Sequence, residues 1–149
     1  MNKKTIPVLI VVVLVVAGFW LYGQVQDAND RQMAVSYIDL IMPHLDNATE
    51  VTQTLYTSIR SNRPTDQAFV DFLNTLNRGR RAIANTTPPT LMKRTHADLL
   101  AGFDVCIEGA TEAREALHLA GWSMSDRELG RAFMADCDRA MNRVYLPTP

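Results

Sequence analysis

Thr90–Ala120 reads TLMKRTHADLLAGFDVCIEGATEAREALHLA. Along it, Met92, His96, Leu99, Phe103, Cys106, Ala110, Ala113, Leu117 and Ala120 recur at steps that alternate four and three. At 3.6 residues per turn that spacing keeps one face of a helix towards a core for the whole stretch. Small residues fill the later half of this seam, so a neighbouring helix can approach closely there. Asn85-Thr86-Thr87-Pro88-Pro89 breaks the chain ahead of the helix, and Gly121-Trp122-Ser123-Met124 makes a tight connection after it.

The flanking stretches carry the same period. Before the break, Thr65 and Asp66 are good N-cap residues for a helix whose seam is Phe69, Phe72, Leu76, Gly79 and Ile83. Further back, Ile38, Ile41, Leu45, Ala48, Thr52, Leu55 and Ile59 form another seam, with a register that continues towards the N-terminus through Val35. Pro43 falls inside this helix and is expected to bend or divide it. Ser61-Asn62-Arg63-Pro64 ends it. After the tight connection, Ser125-Asp126-Arg127-Glu128 has the form of a capping box. The helix it opens is expected to bury Leu129, Phe133, Cys137, Ala140 and Val144. Four helices with short connections predict an all-α protein, an antiparallel up-down four-helix bundle over 23–146 with a tail at 147–149. No repeat of solenoid length recurs.

Ahead of the bundle, Ile6–Tyr22 reads IPVLIVVVLVVAGFWLY, directly after Asn2-Lys3-Lys4. As a helix this run spans about 25 Å, near the lower limit for crossing the hydrocarbon core. Pro7 sits in the first turn, where its missing N–H costs nothing. Trp20 and Tyr22 lie where aromatic rings favour the interface, and the lysines place residues 1–5 in the cytoplasm. Residues 6–22 are therefore expected to be a transmembrane signal-anchor helix that exports the rest of the chain. The rival reading is a signal peptide cut after Ala17. That cut would leave an exposed apolar stub, Gly18–Tyr22, and is less favoured. Both readings export the domain to a periplasmic or extracellular compartment.

Lys3 and Lys4 are two of the 15 Lys+Arg; the 13 that remain stand against 16 Asp+Glu. That slightly acidic balance argues against a nucleic-acid partner. Cys106 and Cys137 fall on the seams of consecutive helices, each about 15 residues from the connection between them. In an antiparallel hairpin they share a height, and an exported domain permits the bond. A structural disulfide is the expectation, with two buried free thiols as the alternative. Neither Cys-x-x-Cys nor Cys-x-x-Cys-His occurs.

Other candidates each have a bland counterpart. His96 lies on the third seam and reads as a partly buried, satisfied histidine rather than a ligand; His44 and His118 read as solvated. Asp104, Glu108, Glu112 and Glu115 form an acidic stripe that could bind calcium or act as acid and base but reads as a solvated face, with Arg114, Arg127, Arg131 and Arg139 as counter-charges. Arg78, Arg80, Arg81, Lys93 and Arg94 gather around the break before the third helix. They form a candidate patch for an anionic ligand, a lipid headgroup or a partner, against a reading as helix capping and solubility. Asn47-Ala48-Thr49 and Asn85-Thr86-Thr87 match the glycosylation pattern, which is too short to be informative.

No catalytic, cofactor-binding or metal-binding motif is present in the sequence. Three functions compete. One is a non-catalytic interaction module or accessory subunit of an envelope or membrane complex, contacting the bilayer through residues 6–22 and a membrane or envelope protein partner. A second is a small-ligand-binding or sensory bundle, which would need a membrane partner because only Met1–Thr5 lie inside. The third, an enzyme, is disfavoured. A homo-oligomer is compatible with the heptad spacing, since a seam can serve an internal core or a second chain.

Overall fold

Helical periodicity in the sequence becomes four α-helices: α1 (Ala28–Arg60), α2 (Asp66–Ala84), α3 (Lys93–Ala120) and α4 (Met124–Arg143). The computed structural model describes residues 28–120 and 124–143. Among them there is no strand, and no helix is long and apolar enough to cross a membrane. The expected anchor at 6–22, the cleavage position after Ala17, residues 1–5, Val144 and the tail at 147–149 all lie outside the described residues.

The helix ends follow from local chemistry. Asn62 takes a left-handed conformation, φ 59°. Its N–H donates to the Ile59 carbonyl at 3.0 Å, and Arg63 N–H to the Ser58 carbonyl at 2.9 Å. This pair of bonds is a Schellman closure with asparagine in the position glycine usually takes, and Pro64 prevents any continuation. Thr65 then caps α2, its Oγ1 accepting from Ala68 N–H at 3.2 Å. A single 3-10 turn, Thr90–Met92, follows Pro88-Pro89 and leads into α3. At the start of α4 the expectation needs correcting. The helix begins at Met124, so Ser125 lies in its first turn and not at its cap.

Two expectations for α1 also change. The helix runs through Pro43 undivided. Proline leaves the Asp39 carbonyl without its helical donor. Pro43 and Asp39 are both exposed, so water can solvate that carbonyl, while Ile41 and Leu45 on the other face stay packed. The register passes back through Ala34, fully buried, and not through Val35, which is 51% exposed. Two successive steps of three rotate off the buried face, whereas a three followed by a four stays on it.

The helices pair antiparallel. Between α3 and α4, Gly102 lies against Ala140 and Met141, and Gly109 against Phe133. Cys106 and Cys137 join between these levels. Between α2 and α3, Gly79 meets Phe103 and Asp66 meets Arg114. Partner numbers fall as the first number rises, which is the signature of opposed chains. Phe69, Phe72, Leu55, Ile83, Leu99 and Phe103 are the largest fully buried side chains, and no polar or charged residue is buried among the described residues. Each such burial contributes roughly 1.5–3 kcal/mol. Phe133 sets the level where α1, α2 and α4 meet, its ring edge-on to Tyr56 and Phe72 at 5.9 and 5.7 Å between centroids.

Candidate functional site

The two cysteines come together as expected. Cys106 and Cys137 sit at disulfide distance, with Cα atoms 4.6 Å apart, and leave no free cysteine. Both are buried in the core between α3 and α4. This crosslink is closed off from solvent in the core.

The five cations around the α2–α3 break do not form one patch. Arg80 donates to both carboxylate oxygens of Asp104, with Nη2 at 2.9 Å from Oδ2. The carboxylate raises the Arg80 pKa further above its ordinary value. Arg94 faces Asp98 one helical turn on, at 3.9 Å. Arg78 turns towards α1 and donates from Nε to the Asn74 carbonyl at 3.4 Å. Arg81 and Lys93 are exposed at the end of α2 and the start of α3.

Arg78 lines a groove of about 460 Å³ between α1 and α2, with His44, Asn47, Glu50, Val51, Thr75 and Gly79. The glycine allows the close approach. A Cβ on Gly79 would stand 3.3 Å from the Phe103 ring and 3.6 Å from His44 Cβ. The groove therefore pairs one guanidinium and one carboxylate over a floor set by helix packing. His44, expected to be solvated, is half-buried at its edge.

His96 is a satisfied, half-buried histidine, as its place on the seam suggested. Its Nδ1 is 2.7 Å from the Tyr37 hydroxyl. Burial pushes the Tyr37 phenol up to about 12, so it stays protonated and able to donate. His118 is exposed but not merely solvated, for its Nε2 lies 2.8 Å from Asp66 Oδ1. Asp66 also accepts from Arg114 Nε at 2.6 Å and Nη2 at 3.2 Å. The Arg114 hydrogen bond, with His118 assisting, holds the Asp66 carboxyl below the usual carboxylate range. Asp66 thus ties the start of α2 to the end of α3.

The acidic stripe dissolves in the same way. Asp104 goes to Arg80 on α2, Glu108, Glu112 and Glu115 are exposed, and Arg139 pairs with Asp136 inside α4. Among the described residues no group of three or more His, Cys, Asp and Glu is placed to hold a metal. Asn47 lies within α1 and Asn85 forms the C-cap of α2.

Tyr37 and Tyr56 do not stand out in the sequence, yet both bond across the bundle. Tyr56 is buried, and its hydroxyl donates to the Met134 carbonyl and to Asp138 Oδ1, both at 3.2 Å. The Arg60 guanidinium carbon stands 5.8 Å from the Tyr56 ring centroid. The available signal was spacing: Tyr37 precedes Ile41 by four and Tyr56 precedes Ile59 by three. Nearby hydroxyls on α1 are spent on their own helix, Thr49 donating to the Leu45 carbonyl and Thr52 to that of Ala48. No protein-family model, no curated protein and no solved structure matches the chain.

Proposed function

We propose that this chain is a single-pass, membrane-anchored helical bundle held outside the cytoplasm, which acts as a non-catalytic interaction module or accessory subunit of an envelope or membrane complex. The observation that carries this reading is the uncharged run Ile6–Tyr22 behind Lys3 and Lys4, for which the bilayer is the natural solvent. A cysteine pair at disulfide distance in the core suits an oxidising compartment.

The test is crosslinking of the full-length protein in native membranes, followed by affinity purification and mass spectrometry. A stoichiometric membrane-protein partner is the expected result. Repeated recovery of the protein alone under mild detergent would overturn the interaction reading. In that case the groove holding Glu50 and Arg78 favours the second reading, a small ligand carrying both charges.

A further inference from the structure

We infer that the end of the bundle nearest the apolar run docks on the headgroups of an anionic phospholipid bilayer. Such docking rests on the membrane anchor proposed above.

Chain order identifies that end. α1 begins at Ala28, and five residues separate it from Tyr22. α3 starts at the same end, since Tyr37 on α1 reaches His96 on α3. α2 and α4, running the other way, finish there.

At this end α1 outruns its neighbour. Gly79 packs on His44, so at 1.5 Å per residue the last residue of α2, Ala84, falls level with about Asp39. The seam of α1 that faces α2 in the groove, His44, Asn47 and Val51, continues back at helical spacing to Leu40 and Met33. Leu40, level with the last turn of α2, is 57% exposed, and Met33, beyond the end of α2, is 44% exposed. Leu91, on the 3-10 turn at the same end, is 48% exposed. Among the described residues, Met33, Val35, Leu40 and Leu91 place most of the exposed large apolar side chains on the parts of α1 and the α2–α3 connection nearest residues 6–22; Leu119, 87% exposed, stands singly at the opposite end, and Val105, 39% exposed, lies between.

Three cations, Arg81, Lys93 and Arg94, are exposed at the same end. Arg81 and Lys93 make no ion pair with any described residue, and Arg94 has only Asp98 at 3.9 Å. The acids of this region are Asp98, Asp39 and, in the sequence before and at the start of α1, Asp27 and Asp30. Apolar tips that enter the headgroup layer, with basic side chains beside them, are the chemistry of interfacial binding to anionic lipid. A tether of a few residues holds the surface at high effective concentration, so a weak patch suffices.

The test uses the full chain in vesicles of pure lipid. Cys106 and Cys137 are joined and no cysteine is free, so one added cysteine can carry a fluorophore. Leu91→Cys labels the docking end, and Gln67→Cys labels the far end of the bundle. The expected result is quenching of the label at 91, but not at 67, by headgroup-spin-labelled lipid. Quenching should be stronger in phosphatidylcholine containing phosphatidylglycerol than in phosphatidylcholine alone, and relieved by salt. Lys93→Glu with Arg94→Glu should lower the docked-to-free ratio by at least about fivefold per charge removed. Met33→Ser with Leu40→Ser should lower it in both lipids. Protein that floats with the vesicles while the label at 91 stays unquenched would overturn docking and leave the anchor standing. Protein that does not float would overturn both.

Discussion

Asp66 and Asp138 are two carboxylates whose environments push them in opposite directions. Asp66 is held low by Arg114 and His118, so its ion pair contributes stability above the unfolded pKa and loses it as pH falls through the depressed folded value. Asp138 is raised by burial, against the opposing pull of its Tyr56 hydrogen bond and of Arg60. Its ionised form is disfavoured in the fold, so stability rises as pH falls through its raised folded value. Melting curves against pH should separate them. Asp66→Asn is expected to flatten the most acidic part of the profile, and Asp138→Asn to act at higher pH with the opposite sign. At Tyr56 the hydroxyl bonds Met134 and Asp138, so Tyr56→Phe should cost about 0.5–1.5 kcal/mol by chemical denaturation. Of these groups the sequence marked Asp66 as a cap candidate and His118 as a solvated residue. It could not bring them together, because a contact across 52 residues depends on where two helices stop beside each other.

At the scale of elements, the α3–α4 contact is controlled by two glycines that respond differently to a methyl group. A Cβ on Gly102 would meet Met141 Sδ at 2.9 Å, the end of a flexible side chain that can move aside. A Cβ on Gly109 would meet Phe133 Cδ2 at 2.9 Å, and that ring is held edge-on by Tyr56 and Phe72. Alanine in a helix is favoured over glycine by up to about 1 kcal/mol. Gly102→Ala is therefore expected to be neutral or stabilising. Gly109→Ala should be destabilising, because overpacking costs roughly 1–3 kcal/mol. Thermal melts of the two variants check the contrast. Helix identity and buried face are legible in residue spacing alone. The α2 seam Phe69, Phe72, Leu76, Gly79 and Ile83 is the set of residues the helix buries. Val35 departs from expectation because of a rotation of the helical face, and the helix is not divided at Pro43, which lies on the solvent side.

For the molecule as a whole, the α1 seam could serve its own core or a second chain. Leu45 is 8% exposed and Leu55 is fully buried within the one bundle. Leu55→Ala should cost about 2–5 kcal/mol and leave the mass in solution unchanged, as read by light scattering. A fall in mass would assign the seam to an oligomer. The crosslink between Cys106 and Cys137 closes a separation of 31 residues. Replacing both with alanine should remove roughly 3–4 kcal/mol, visible as a lower denaturation midpoint that added reductant no longer changes.

The sequence by itself determined the helices, their breaks, the cysteine pairing and the faces turned inward. Each of these depends on spacing within one segment or on the symmetry of one hairpin, which the 3.6-residue period and the Gly121–Met124 connection already contain. Tertiary structure alone decided the fate of the charges and the apolar ends. Arg80 is consumed by Asp104, Arg78 is turned into the groove, and Met33 is left uncovered because α2 ends short of its level. Those outcomes depend on the relative lengths and levels of helices far apart in the chain, which helical spacing within one segment does not encode.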